Sequence, residues 1–327
     1  MRKSPRYWQK GHPYLNGLAF ESVPSDEAAL EDLQVHDAQA HKSMTTPQLL
    51  GSYRSAGFTV TEDPGTSVID LGIGEAIPPM NSLKAREALY YAVDAVATDK
   101  KLYGGTCSLD QSFTGPGGLF YDPRVPSYRS YDLAKAKALV EQLGRLSFTT
   151  NYLESGLGTE GATLVQTMLK AAGMSVKMSG WANLEAAIAG FNTRKWQVNL
   201  CDIGDHDPAG DAALNLFLQG HGSLSGTDDL IVNWCITKGE SSPNPSVWAT
   251  ACKDLAGYLN EDPLMPFVCV PRAGRSHPRA SALPGLRLPS AATSADRWSS
   301  SGRARRSATA NLAIPTGARS FGAAPRR

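Results

Sequence analysis

The chain holds 327 residues, with 32 Lys and Arg against 31 Asp and Glu for a net charge of +1, enough chain for two domains and a sizeable core. That balance hides a split: from Arg272 onward there are eleven arginines, no lysine and one acid, Asp296, so the body before it is acidic, which argues against nucleic-acid binding by the folded part. No apolar run approaches the ~20 residues of a membrane span; the best candidate, Ala88 to Ala97, carries Asp94 in its middle.

Strands and helices are expected to alternate, an α/β pattern. Leu18 to Val23 reads as a strand, and Asp26 to Val35 as a short helix with Asp26 and Glu27 in its first turn. Thr46 to Ala56 is a second helix with Gly57 past its end, followed by the strand Phe58-Thr59-Val60. Ser82 to Thr98 is a longer helix, and the Gly/Pro-rich stretch Gly104 to Pro126 an irregular loop. Asp132 to Leu143 is the best-formed helix: Asp132 caps it, Leu133, Ala136, Leu139, Val140 and Leu143 form its stripe, and Gly144 ends it. Leu146 to Leu153, Gly161 to Ala172 and Met174 to Met178 make a βαβ unit. Helix Trp181 to Ala189 and strand Trp196 to Cys201 repeat the pattern. Helix Pro245 to Leu259 and strand Leu264 to Val270 close the body. From Arg272 the chain is Ala, Arg, Ser, Gly and Pro without periodicity; a frameshifted reading or a disordered basic tail would both have this composition, and neither is expected to pack.

Cys107, Cys201, Cys235, Cys252 and Cys269 are widely spaced with no C-x-x-C, and buried free thiols are the expected state. Met1 to Pro5 offers basic residues but neither an apolar run nor a lipobox cysteine, so no export signal is expected in the sequence as written.

Gly156-Leu157-Gly158-Thr159-Glu160-Gly161 matches G-x-G-x-x-G between an expected strand and helix. A dinucleotide site also needs an acid at the end of the next strand, and Lys177-Met178-Ser179-Gly180 supplies none. A flexible βα turn is the expectation, with a dinucleotide-dependent enzyme the remote alternative. His206 and His221 have no nucleophile-elbow partner, since Gly222-Ser223-Leu224-Ser225-Gly226 is not G-x-S-x-G, so no catalytic residue is assigned.

Asp202, Asp205, His206, Asp207 and Asp211 cluster within ten residues. Three readings stay open: a hard-cation site, an anionic patch for a substrate ammonium, or a solvated turn with Asp207 as a helix cap before Pro208. Trp181, Trp196 and Trp234 are aromatics suited to a cleft wall, although the alternation around Trp196 fits a core position equally.

An ordered set of motifs carries a family resemblance. Arg2, Pro5, Tyr7, Trp8, Lys10, Gly11, Pro13, Tyr14, Leu15, Gly17 and Phe20 fit R-N-P-x-Y-W-x-K-G-x-P-Y-L-D-G-I-x-F in register. Pro78-Pro79, Arg86 and Glu87 to Asp94 follow, then Tyr121-Asp122-Pro123 with Tyr131 to Gly144, Gln166 to Lys177, and Asp205-His206-Asp207-Pro208. The set resembles the family 5 solute-binding proteins, the peptide-, dipeptide- and nickel-binding receptors of ABC importers.

The resemblance implies a periplasmic-binding-protein-like fold of type II, cluster C, with residues 1–70 as part of lobe I and 71–271 as a C-terminal α/β domain with mixed sheet including the return strand. In the family the region from Arg272 should be a strand returning to lobe I, whereas its composition here gives 272–327 as a disordered basic tail. The first motif lies well inside the chain in that family, so the sequence reads as the back half of a receptor. The implied function is extracytoplasmic binding of a peptide, with a nickel or sugar ligand as the alternative, and ABC permease subunits as partners. No enzyme activity, cofactor, metal or nucleic acid is implied, and a monomer is expected. The implied ligand-facing residues are Asp205, Asp202, His206, Asp207, Cys201 and Trp181, with Asp205 meeting the peptide's α-amino group. In the family that carboxylate stands four residues before the Pro; here Gly204 takes that place and Asp205 stands three before.

Overall fold

The computed structural model describes residues 1–44, 46–63, 65, 68–109, 112–125, 129–203, 218, 220 and 223–278. Two sheets organise them. The larger has five strands and the smaller three.

In the larger sheet, β4 (Ser147–Leu153) lies parallel to both β5 (Ser175–Trp181) and β6 (Val198–Ile203), the arrangement that helical crossovers demand. β3 (Val68–Ile73) runs antiparallel to β6 and to β7 (Phe267–Cys269), so the sheet is mixed. Alternation sends Phe148, Val176, Val198, Leu71 and Ile73 to one face, where α3 (Leu83–Ala92), α5 (Leu133–Gln142) and α6 (Gly156–Ala171) cover them with Ala88, Leu89, Ala136, Val140, Val165 and Leu169. Asp132 caps α5 as its sequence requires, accepting from the Lys135 amide at 2.9 Å. A second core forms where α8 (Leu230–Glu240) and α9 (Pro245–Glu261) bury Val232, Ile236, Leu255 and Leu259 against Val68, Phe113, Met265 and Phe267. Helix α7 (Leu184–Asn192), capped by Asn183, closes the β5–β6 crossover.

The smaller sheet places β8 (Ala273–Pro278) between β1 (His41–Met44) and β2 (Phe58–Asp63), antiparallel to each. Helices α1 (Asp26–Gln34) and α2 (Leu50–Ser55) pack Leu33 and Tyr53 against Phe58 and Val60. The connection after Asp63 and the one after Cys269 carry the chain between the sheets side by side. Gly65 needs its missing side chain there, because a Cβ would lie 1.9 Å from the Pro271 carbonyl oxygen.

Several expectations are corrected. Packing does not stop at Arg272: Ala273–Pro278 is the central strand of the smaller sheet, so a boundary at 271 cuts that sheet apart. The boundary expected at 70 falls inside β3. Residues 18–23 form no strand, because among the described residues only Leu18 finds backbone partners, on Met1 beside the Arg2–Gly17 bridge, and Phe20 is left exposed. The long helix expected from Ser82 to Thr98 breaks at Val93: Asp94 takes an extended conformation and caps a new turn, α4 (Ala95–Thr98), through the Ala97 amide at 2.9 Å. Strands β1 and β3 and helix α8 were not anticipated at all.

The glycine motif is also not a turn. Helix α6 begins at Gly156, so Gly156 to Gly161 are its first turns, and a Cβ on Gly158 would meet the Leu153 carbonyl oxygen at 2.3 Å. The glycines let the helix start against the end of β4, which leaves no loop to cradle a pyrophosphate.

Candidate functional site

The parallel strands β4, β5 and β6 end at one edge of the larger sheet, at Leu153, Trp181 and Ile203. Carboxyl ends of parallel strands are where open α/β sheets hold ligands, since the connections there diverge and leave a crevice. In-register pairing of Asn151 with Asn199, and of Leu153 with Trp181, puts Leu153, Trp181 and Cys201 in one row. Trp181 and Cys201 are thus two strands apart, roughly 10 Å.

The face of this sheet turned away from α3, α5 and α6 is polar near its ends. Asn151, Asn199 and Cys201 share it with Asp70 and Gly72, their register partners on β3. Asp70 is fully buried, and Asn199 and Asn151 nearly so. The Cys201 thiol donates to Asp70 Oδ1 at 3.4 Å. Burial first, and then the negative charge of Asp70 and that hydrogen bond, push the thiol well above the ordinary cysteine range, so Cys201 is a neutral donor here and not a thiolate nucleophile. Asn151 Nδ2 donates to the Ser179 carbonyl at 3.4 Å, and Asn199 Oδ1 has no partner among the described residues. The patch is rich in acceptors and carries a buried carboxylate. A cation or N–H donor is the chemistry such acceptors favour, but Asp70 is closed to solvent and its face-mates Val68, Phe267 and Cys201 pack into the second core.

The structure therefore unites Cys201 with a residue the sequence reading missed. An acid inside the apolar run Val68-Ile69-Asp70-Leu71 was the available signal. Asp202 pairs through its backbone with Ile69. Asp205, His206 and Asp207 belong to the segment 204–217 that leaves β6, and lie outside the described residues, as does His221. Trp181 is partly buried. Its ring stands edge-on to Phe191 with centroids 4.8 Å apart, and a Cβ on Gly190 would lie 2.8 Å from it. Trp196 is a core residue whose Nε1 donates to the Leu224 carbonyl at 3.1 Å, while Trp234 is exposed beneath the Lys238 ammonium.

A second polar constellation braces the opposite end of the sheet, where β3 ends beside the start of β6. Arg86 is 3% exposed; its Nε donates to Asp262 Oδ1 at 2.9 Å, one Nη donates to the Met80 carbonyl at 2.9 Å, and Glu75 stands 3.8 Å away. Burial holds the Glu75 carboxyl above the ordinary range, with Arg86 opposing and Asp262 adding to the rise. These are positioning contacts that fix the Pro78-Pro79 turn and the start of α3 against the end of α9.

The family model for bacterial extracellular solute-binding proteins, family 5 Middle, matches residues 1–224. The dipeptide-binding protein of Escherichia coli (strain K12) is 28% identical over 138 residues, which is 42% of this chain and 25% of that protein. Among solved structures, a binding protein from Agrobacterium tumefaciens R10 in complex with agropinic acid superposes with a TM-score of 0.71 at 16% identity, covering 85% of this chain and 58% of that one. The dipeptide-binding protein of Pseudoalteromonas sp. SM9913 in complex with Met-Leu gives a TM-score of 0.69 at 14% identity over 79% of this chain and 53% of that one. The fold is that of the type II periplasmic binding proteins. The chain spans a quarter of the curated relative and little more than half of either solved structure.

Proposed function

We propose, from the premise that the chain belongs to the family 5 bacterial extracellular solute-binding proteins, that it supplies part of a receptor that captures a peptide outside the cytoplasm. The receptor is a monomer and hands its ligand to the permease subunits of an ABC importer. This is a family of binding proteins, not enzymes, and the proposed cycle breaks no bond.

The observation that carries the reading is the family match across residues 1–224, which includes β4, β5, β6 and the carboxylate-bearing segment after β6. The dipeptide ligands named for two relatives favour a peptide. In the proposed complex Asp205 takes the peptide's ammonium. Asp202, His206, Asp207, Cys201 and Trp181 complete the ligand-facing set, with Asp70 lending negative charge from behind Cys201. A carboxylate in a closing cleft gains strength as water leaves, so the terminal amine is the group most strongly discriminated.

Calorimetry tests the proposal on this chain joined to the preceding part of a dipeptide-binding relative that it does not span. Free-amine dipeptides and tripeptides should bind at least tenfold more tightly than their N-acetylated forms. Equal affinity for both, or binding of a metal–histidine complex with none of peptides, overturns it.

A further inference from the structure

Strand β7 ends at Cys269, and the next residue, Val270, pairs with Ser108 in an isolated antiparallel bridge. Both backbone hydrogen bonds of that bridge are made, Ser108 N to Val270 O at 2.9 Å and Val270 N to Ser108 O at 2.8 Å. Cys107 and Cys269 therefore each immediately precede one member of a fixed pair. Their side chains meet in one small cluster with Leu102 and Tyr103: Cys269 is fully buried, and Cys107 packs against it partly buried. The Cys107 amide donates to Asp99 Oδ1 at 2.9 Å, which anchors the loop carrying it. Cys235 and Cys252 belong to the other core, and Cys201 faces Asp70.

We propose that Cys107 and Cys269 are an oxidisable thiol pair that closes to a disulfide when the protein meets a low-molecular-weight disulfide oxidant, fastening the 104–109 loop to the strand that leads between the two sheets. Cys107, the more exposed sulfur, loses its proton and attacks the oxidant, releasing one thiolate of the reagent and leaving a mixed disulfide. Cys269 loses its proton and attacks the Cys107 sulfur, releasing the second reagent thiolate. Two protein thiols are oxidised and one reagent disulfide is reduced to two thiols. Extracytoplasmic families work where such oxidants prevail.

Hydrogen bonding to Cys269, burial, and the nearby Asp99 all raise the Cys107 thiol above its ordinary range. Little thiolate is then present near neutrality, so closure should be slow at pH 7 and accelerate as pH rises. The product would lock Val270 and Pro271 beside Gly65, where the two connecting segments touch.

The test treats the full chain with oxidised glutathione, blocks remaining thiols, and digests with trypsin without reduction. The expected product joins the peptide Leu102–Arg124 to the peptide Asp254–Arg272, neither of which holds another cysteine. Two of the five thiols disappear from a count in denaturant, and the melting temperature rises by roughly 5–10 °C, as expected for closing a long loop. Cys107→Ser and Cys269→Ser should each abolish the joined peptide. Retention of all five thiols, a stable glutathione adduct on Cys107 with no joined peptide, or a link between any other two cysteines overturns the proposal; each reads the unmutated protein, so a poorly folding variant does not decide it.

Discussion

Asp26 Oδ1 stands 3.5 Å from His41 Nε2, joining the start of α1 to β1. The Tyr53 hydroxyl completes the arrangement, donating to the Asp26 carbonyl at 2.6 Å and lying 3.0 Å from His41 Nδ1. Tyr53 is fully buried, so one side chain on α2 holds two other elements through polar atoms sealed from water. Asp26 also accepts from the Thr46 amide at 2.8 Å.

Burial lowers the His41 pKa below 6.5, with Asp26 opposing the shift. The folded state therefore holds the neutral ring, and the unfolded chain binds the extra proton. Stability from this group should be fully present above pH 6.5 and decline as pH falls from there through the folded pKa. Thermal melts between pH 7.5 and 5 should show the decline, and His41→Gln should flatten it; an unchanged slope in the variant counts against the assignment. Tyr53→Phe, which strips both hydroxyl contacts, should cost about 1–3 kcal/mol at pH 7 in urea unfolding.

Arg86 keeps its guanidinium inside the fold by sharing it with Asp262, Glu75 and the Met80 carbonyl. Asp262→Asn removes the main counter-charge and leaves a cation in a site 3% exposed to water. The expected loss is about 3 kcal/mol of unfolding free energy, and Arg86→Met in the same background should recover part of it. Strictly additive losses in this double-mutant cycle would show that the pair is not coupled.

Glu75 gives a prediction of opposite sign. Burial raises its carboxyl, so the ionised form is the less favourable one in the fold. Its contribution is stabilising below the ordinary carboxylate range and is lost as pH rises through the folded pKa. Glu75→Gln should raise the melting temperature at pH 7 by a degree or so, and the gain should vanish near pH 4. A variant less stable at pH 7 would mean that the contact with Arg86 outweighs the burial.

The placement of β8 predicts how far the chain can be shortened. A chain ending at Pro278 keeps the central strand between β1 and β2; one ending at Pro271 separates them. The shorter chain should lose protection of the smaller sheet, seen as faster tryptic cleavage after Lys42 and Arg54. Equal cleavage rates in the two would show that β8 contributes nothing to that packing.

Asp205→Asn, in the extended receptor described above, should weaken free-amine peptides by about 2–5 kcal/mol and N-acetylated peptides far less. Asp202→Asn and Asp207→Asn separate a specific ammonium contact from a general charge effect. Silence of Asp205→Asn alongside a large loss in Asp207→Asn would move the contact by two residues.

Much of this protein was determined locally. The run from Asp132 to Ile203 was legible because strand alternation, helical stripes and the Asp132 cap each depend on neighbours within a few positions. The motif order likewise pointed to the family without any knowledge of packing. Strand pairing was decided elsewhere. Ala273–Pro278 has no apolar pattern to announce it and becomes a central strand only because two partners, more than 200 residues earlier, offer their hydrogen bonds on both sides. Leu18 to Val23 has the pattern, but among the described residues only Leu18 finds backbone partners, on Met1, and the segment joins no sheet. The same non-local register set Asp70 against Cys201, and Cys107 beside Cys269. Local sequence specifies which backbone conformations are cheap, whereas burial and pairing depend on what the rest of the chain brings alongside, and only the tertiary structure decides that.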